Sequence, residues 1–256
     1  MLKTFQPRKV RIFGDSHCNA IKGGATRIAN QLSATGLDIE SVTTLGAATD
    51  MYEPFHRIEG NNLYFMSDKV RERGLGFLCD KDGRLLDYDG MSYVSLGFHT
   101  HTFLNPKRWR THALWNTGPA RTLLPVSEAA FQAMTLDFNR YILDFLSGMK
   151  DCGHWIRVIE APPPSPRFFL LRFGYSMEDV LVMDALFRTT FAEELDKRGI
   201  SYLSTPPDLI ESGFLKDSLL ASDVNDAHHA NSKYGVLMLQ HLCRHHMGLF
   251  PVEQTG

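Results

Sequence analysis

Cysteine is scarce: four in 256 residues, at Cys18, Cys79, Cys152 and Cys243, with no Cys-x-x-Cys pair among them. Scattered, unpaired thiols give no disulfide or metal framework and predict a reduced, cytoplasmic protein. Long hydrophobic runs are missing too. Nothing approaches the roughly 20 apolar residues of a membrane helix. Residues 1–9 carry charges without an apolar stretch, so neither a membrane partner nor a secretory signal is expected. An excess of one charge sign is also lacking, since 27 Lys and Arg face 29 Asp and Glu for a formal net charge of −2. That balance gives no electrostatic reason to expect a nucleic-acid or membrane-surface partner. No internal repeat or low-complexity tract is visible. The remainder, 43% hydrophobic and 22% charged, is the composition of a globular chain, and its length suits one α/β domain over 1–256 with insertions.

What is present is an alternation of short apolar runs with helical patterns. Val10 to Phe13 reads as a central strand buried on both faces. A helix follows over Asn19 to Leu32, with Gly36 as its stop. Ile39 to Leu45 is a second strand closed by Gly46, and Ala47 to Gly60 is mixed, a short helix broken at Pro54. Insertions are expected at about 61–90 and 98–126. In the first, a hairpin between Leu63 and Tyr88 is predicted, with Gly76–Cys79 and Arg84–Leu86 flanking the Asp-Gly turn signal Asp80-Lys81-Asp82-Gly83. Met91 to Leu96 is the third strand, ending at Gly97. The second insertion, Phe98 to Pro125, reads as a long aromatic loop of a kind that is commonly functional. Ser127 caps a helix to Met149, with Phe131, Met134, Phe138, Ile142 and Phe145 at spacings of three and four. Trp155 to Ile159 is strand four, stopped by Pro162-Pro163-Pro164. Ser176 and Asp179 make a capping box for a helix to Lys197, and Gly199 ends it. Ile200 to Leu203 is strand five, halted at Pro206-Pro207, and Asn231 opens a last helix to about Met247. Strands alternating with helices imply a parallel sheet covered on both faces.

In such a sheet all strand ends point one way, so residues far apart in sequence meet along one rim. Strand one delivers Ser16, strand two Gly46, strand three Gly97 and His99, and the segment after strand five Asp226 and His229. A serine hydroxyl becomes a nucleophile when a base takes its proton, and His229 is a candidate for that. Asp226, three residues earlier, can accept from the other ring N–H and fix the tautomer. The backbone N–H groups of Ser16 and Gly46, with a side chain from position 99, can hold an oxyanion. The alternative for Ser16 is a plain helix N-cap.

On these blocks the chain resembles the SGNH/GDSL hydrolase superfamily. Gly14-Asp15-Ser16-His17 matches the first block, with histidine where many members have leucine. Gly46 falls on the second-block glycine. Asp226 to His229 matches the last, Asp-x-x-His, followed by Asn231 and Gly235 as in many relatives. The resemblance runs from about residue 9 to residue 247, outside the two insertions. It implies a three-layer α/β/α, doubly wound, flavodoxin-like sheet of about five parallel strands. It implies a Ser16–His229–Asp226 triad, and His229 rather than His228 as the base. The third block departs from the pattern: Gly97-Phe98-His99-Thr100 stands where Gly-x-Asn-Asp is usual. His99 thus takes the place of an amide donor, and a ring can offer only one N–H in that direction.

The resulting expectation is a serine esterase acting on a small acyl ester, with a carbohydrate as a candidate alcohol part and no cofactor. The rivals are an O-acyltransferase using the same acyl-enzyme and an inactive carbohydrate-binding or scaffold protein. Asp15, His17, Gly97, Arg108 and Trp109 are candidate substrate contacts, the last two from a loop that also carries Lys107, Arg110, Trp115 and Arg121. Asp223 is a rival acid, more simply a surface loop residue. Cys18 is a candidate reactive thiol or a small buried residue. His99-Thr100-His101 and Asp15-x-His17 resemble metal-ligand pairs, but the Gly-Asp-x-x-Asp and Gly-Asn-His blocks of two-metal phosphoesterases are missing, so metal catalysis is not expected. His241, His245 and His246 are expected to be solvated at the end of the last helix.

Overall fold

The computed structural model describes residues 6, 8–115, 117–118 and 123–249. Its centre is a parallel sheet of five strands: β1 (Lys9–Gly14), β2 (Asp38–Thr44), β3 (Met91–Ser95), β4 (Ile156–Ile159) and β5 (Tyr202–Leu203). Their spatial order is β2-β1-β3-β4-β5, the flavodoxin-like doubly wound order. The switch point lies between β1 and β3, where Gly14 pairs with Ser95 and the following segments diverge. Ligand crevices of open α/β sheets form at that point.

Alternation along the strands supplies both faces. Val10, Ile12, Tyr93 and Ile159 pack on one face with α1 (Cys18–Arg27), α2 (Ala29–Ala34) and α6 (Ser232–Leu249). Phe13, Val94 and Val158 pack on the other with α4 (Arg140–Asp151) and Phe191 and Leu195 of α5 (Met177–Lys197). A third cluster, built on Phe103, Trp109, Phe131 of α3 (Glu128–Phe138), Phe168 and Phe187, fills the space beneath the second insertion. No helix among the described residues is long and apolar enough to cross a membrane.

The approach of α6 to α1 sets the site, because it brings the chain's end across its beginning. It depends on two glycines: a Cβ on Gly235 would strike the Ala20 carbonyl, and one on Gly24 would strike the Gly235 backbone. Replacing Gly235 with Val is expected to destabilise the protein by about 3 kcal/mol, the upper range for overpacking a tight contact. Urea denaturation at equilibrium measures it, and a loss below a few tenths would mean the helices are free to separate.

Several boundaries differ from expectation. The first helix is broken at buried Ile28. The helix expected to run to Met149 is broken at Asn139, whose buried side-chain amide donates to the Thr135 carbonyl at 2.9 Å and competes with the helical ladder. The turn at Asp80 to Gly83 forms, with Gly83 at φ +82°, but its flanks make only isolated bridges such as Cys79 with Leu85. The regular hairpin lies earlier, His56–Glu59 against Asn62–Phe65. There Gly60, at φ +58°, supplies the left-handed turn residue. The aromatic stretch carries helical turns at Thr100–Phe103 and Pro106–Trp109, and a parallel pair of His112–Leu114 with Leu124–Val126. His246 is fully buried, its Nδ1 3.0 Å from the Tyr93 hydroxyl, so the inner face of α6 claims it rather than solvent.

Candidate active site

The turn after β1 is built by Asp15. Gly14 has no room for a side chain against the Ser95 carbonyl. The Asp15 N–H then donates to Ser95 at 3.2 Å, and its Oδ1 accepts the His17 N–H at 3.0 Å. This side chain-to-backbone turn lifts Ser16 clear of α1, whose N-cap is His17 and has no side-chain capping bond. The Ser16 hydroxyl is therefore not spent as a helix cap.

At the other end of the chain, the segment before α6 is clamped in place. Leu220 bridges Ala230, the Ala221 N–H donates to the His229 carbonyl, and the Asn231 side-chain amide donates to the Ser218 and Leu220 carbonyls at 2.9 Å each. Within that clamp Asp226 Oδ1 accepts the backbone N–H groups of His228 at 3.2 Å and His229 at 2.9 Å. Its Oδ2 lies 2.8 Å from His229 Nδ1, and His229 Nε2 lies 2.9 Å from Ser16 Oγ. Partial burial works against the Asp226 carboxylate. The His229 N–H, the His229 ring and the His228 N–H outweigh it and hold the carboxyl below its ordinary range. An ionised Asp226 accepts from Nδ1–H, which leaves the Nε2 lone pair facing the serine hydroxyl. Asp223 is exposed and its carboxylate caps the Asn225 N–H at 2.9 Å, so it has no part in this chain.

Four further imidazoles crowd the same place. His17 stacks on His99 at 4.6 Å between ring centres and lies 5.1 Å from the His229 ring. His101 stacks on His228 at 4.0 Å. His99 Nε2 sits against Asp15 Oδ2, both side chains wholly buried. Burial first, then the neighbouring rings, pushes His17 and His101 well below the usual histidine value. The same causes bring His228 to about 4, so these three are neutral near pH 7. His228, considered only as a rival base to His229, and His101, considered only as half of a ligand-like pair, both join the site; the sequence carries the His-x-His and His-His pairs but no sign that they converge.

The other expected contacts fare unevenly. Asp15 is fully buried and engaged within the turn, so it offers a ligand no surface. His17 is buried and stacked on His99. Gly46 follows the end of β2, where the Leu45 N–H donates to the Gly14 carbonyl at 2.7 Å, beside the serine turn. Gly97, at φ +77°, is pressed against the Phe191 ring and shapes the turn after β3 instead of lining a cleft. Trp109 is fully buried with its indole N–H donating to the Phe103 carbonyl at 3.0 Å; it is a core anchor, not a substrate platform. Arg108 lies over the Phe103 ring, and Arg121 is outside the described residues. A cleft of about 310 Å³ beside His101 and His228 is lined instead by Asn105, Phe169, Arg172 and Asn225. Cys18 is fully buried, and burial, then Asp15, pushes its thiol far up, which makes it inert.

Beneath this wall, Arg188 bonds Asp184 at 2.8 Å, Glu160 at 3.1 Å and the Ala161 and Pro162 carbonyls, while the Thr100 hydroxyl donates to Asp184. One buried guanidinium thus ties the proline segment after β4 to the turn that carries His99 and His101.

No protein-family model matches the chain, and no curated protein matches it in sequence. Solved structures match it over nearly its whole length at low identity. One is described as a lipolytic protein of the G-D-S-L family from Desulfitobacterium hafniense DCB-2: 14% identical, TM-score 0.49, covering 93% of this chain and 98% of that one. A second is an acetyl xylan esterase, 12% identical, TM-score 0.47, covering 93% and 98%. A third is a catalytic mutant of an acetylxylan esterase from Geobacillus stearothermophilus, 9% identical, TM-score 0.48, covering 95% and 96%.

Proposed function

We propose that this chain is a serine esterase of the SGNH/GDSL type, one domain over its whole length, hydrolysing a small acyl ester carried on a carbohydrate. The observation that supports it is the unbroken run Ser16 Oγ to His229 Nε2 at 2.9 Å and His229 Nδ1 to Asp226 Oδ2 at 2.8 Å. In this reading Ser16 Oγ attacks the acyl carbon while His229 Nε2 takes the hydroxyl proton. The carbonyl oxygen becomes an oxyanion, held by the backbone N–H groups of Ser16 and Gly46; His99, expected to join them, is wholly buried with its Nε2 already engaged by Asp15. Collapse expels the alcohol, which leaves with the proton from His229. Water then attacks the acyl-serine through the same base, releasing the acid and restoring Ser16.

A small ester suits a cleft of about 310 Å³, at the low end of ligand-pocket sizes. Its amide, aromatic and guanidinium lining suits a hydroxyl-rich alcohol part. Four cysteines, none in a disulfide among the described residues, suit a reducing, cytoplasmic setting.

The test is labelling with a fluorophosphonate, which needs an activated serine. Intact-mass and peptide analysis are expected to find one adduct, on Ser16, with acid released from acetyl esters in buffer alone. Absence of labelling under conditions that label a control esterase would overturn the reading. Labelling with acyl release only when a sugar acceptor is present would turn it into an acyltransferase.

A further inference from the structure

We propose that His17, His99 and His101 form a binding site for one divalent cation of the Zn²⁺ class, in the wall beside Ser16 and His229. The proposal does not depend on the hydrolase reading.

The geometry fits three imidazole ligands. One ring nitrogen from each of these histidines lies within 4.8 Å of the others. The ring centres stand 4.6 Å (His17–His99), 5.4 Å (His17–His101) and 6.1 Å (His99–His101) apart. A Zn–N bond of about 2.1 Å puts a ring centre roughly 3.2 Å from the metal, so tetrahedral ligation asks for about 5.2 Å between ring centres. The three observed separations straddle that value, but the His17 and His99 rings face each other at an interplanar angle of 12°, so one of them must rotate before both can point a nitrogen at the same ion.

The site is also built: apart from His101 Nε2, 2.9 Å from the Thr102 hydroxyl, and His99 Nε2 against Asp15, its ring nitrogens have no other use among the described residues. His17 is buried, and among the described residues neither of its ring nitrogens has a hydrogen-bond partner; His99 Nδ1 is likewise buried and unpartnered there. Buried polar atoms left without partners are rare, and each calls for a cause. An ion at the meeting point of the three rings supplies one. Asp15 adds the remaining part. Its wholly buried carboxylate holds His99 through Nε2, as carboxylates commonly hold ligating imidazoles by the nitrogen turned away from the metal, and its charge offsets part of a dication's.

The donor set selects the metal. Mg²⁺ and Ca²⁺ require oxygen ligands, whereas neutral imidazoles suit Zn²⁺, Co²⁺, Ni²⁺ and Cu²⁺. Three histidines leave a fourth position open, the arrangement found where an ion also meets water or substrate. A competing set exists, since Asp226, His228 and His229 also lie close enough to share an ion. Hydrogen bonds to Ser16 and the backbone already engage Asp226 and His229, whereas the His17 ring makes none among the described residues.

The experiment is titration calorimetry of chelator-stripped protein with ZnCl₂, together with visible spectra on CoCl₂ addition. Wild type is expected to take up one equivalent at micromolar concentration and to give the intense bands of tetrahedral Co²⁺. His17→Ala and His101→Gln are expected to weaken binding by at least about 100-fold, at or beyond the range for losing a supporting partner, with circular dichroism confirming their fold. Ser16→Ala and His229→Ala are expected to keep it, so failure of the ester-hydrolase reading leaves this result untouched. No uptake of either ion by wild type would overturn the proposal, and needs no variant to fold. Binding lost in His229→Ala but kept in His101→Gln would move the ion to the competing set and overturn it as well.

Discussion

Changing Ser16 to Ala is expected to lower turnover of an acetyl ester by about 10⁴–10⁶, the range for removing a nucleophile that acts as a unit with its base. Little else should change. Ser16 is partly exposed, its hydroxyl caps nothing in α1, and its one side-chain partner among the described residues is His229 Nε2 at 2.9 Å. Stability is therefore expected to stay within about 0.5 kcal/mol of wild type, as for substitutions away from packing and capping. Cys18, two residues on, cannot take over, because it is sealed in the core with its thiol pushed far above neutrality. Steady-state kinetics beside a denaturant curve measures both effects. A variant retaining a tenth of wild-type turnover would place the nucleophile elsewhere, and one that unfolds would show the turn, not the chemistry, to depend on the hydroxyl.

The sheet and the rim were legible because each rests on a local rule. Val10 to Phe13 is a continuous apolar run, Gly14 and Gly97 stop strands, and Ser176 with Asp179 makes the capping box that the structure contains. These fix where each strand ends, and parallel order does the rest. Features set by which side chains end up buried, and against what, were not legible. Asn139 reads as one more helical residue until its buried amide is seen turned back on Thr135. Trp109 and Arg108 read alike as loop residues, yet one is enclosed by Phe103 and Phe131 while the other remains exposed. His246 reads as a terminal, solvated side chain until Tyr93 is found behind it. The imidazole cluster is the sharpest case. His17, His99, His101 and His228 come from three separate segments, and only the switch point between β1 and β3, together with the clamp before α6, brings them into contact. Thr100, the residue between two of them, points the other way, into the Asp184–Arg188 network. That division explains why a His-x-His pair here serves packing on one side and the site on the other.

Asp226→Asn is the second large effect, with turnover expected to fall by about 10³–10⁴, the scale seen when a triad carboxylate becomes an amide. The hydrogen bonds dictate how. Oδ1 accepts two backbone N–H groups, from His228 and His229, so the amide oxygen must remain there. The amide nitrogen then takes the place of Oδ2, facing His229 Nδ1, and it can only donate. His229 must present a lone pair at Nδ1 and carry its proton on Nε2, opposite Ser16, where it can no longer accept the hydroxyl proton. A stability readout separates this from simple misfolding. Burial opposes the Asp226 charge, but the His229 and His228 contacts prevail and depress its carboxyl in the folded protein. The ionised form therefore contributes stability that is present above the ordinary aspartate value of about 3.9 and is lost as pH falls through the lower folded value. The stability gap between wild type and Asp226→Asn should narrow on acidification across that window and stay constant between pH 6 and pH 8, roughly two units clear of it. Asp223→Asn, by contrast, touches an exposed carboxylate bonded only to the Asn225 N–H and should leave turnover within about twofold, since nothing there reaches His229. If Asp223→Asn and Asp226→Asn lowered turnover equally, the orienting role assigned to Asp226 would have to be given up.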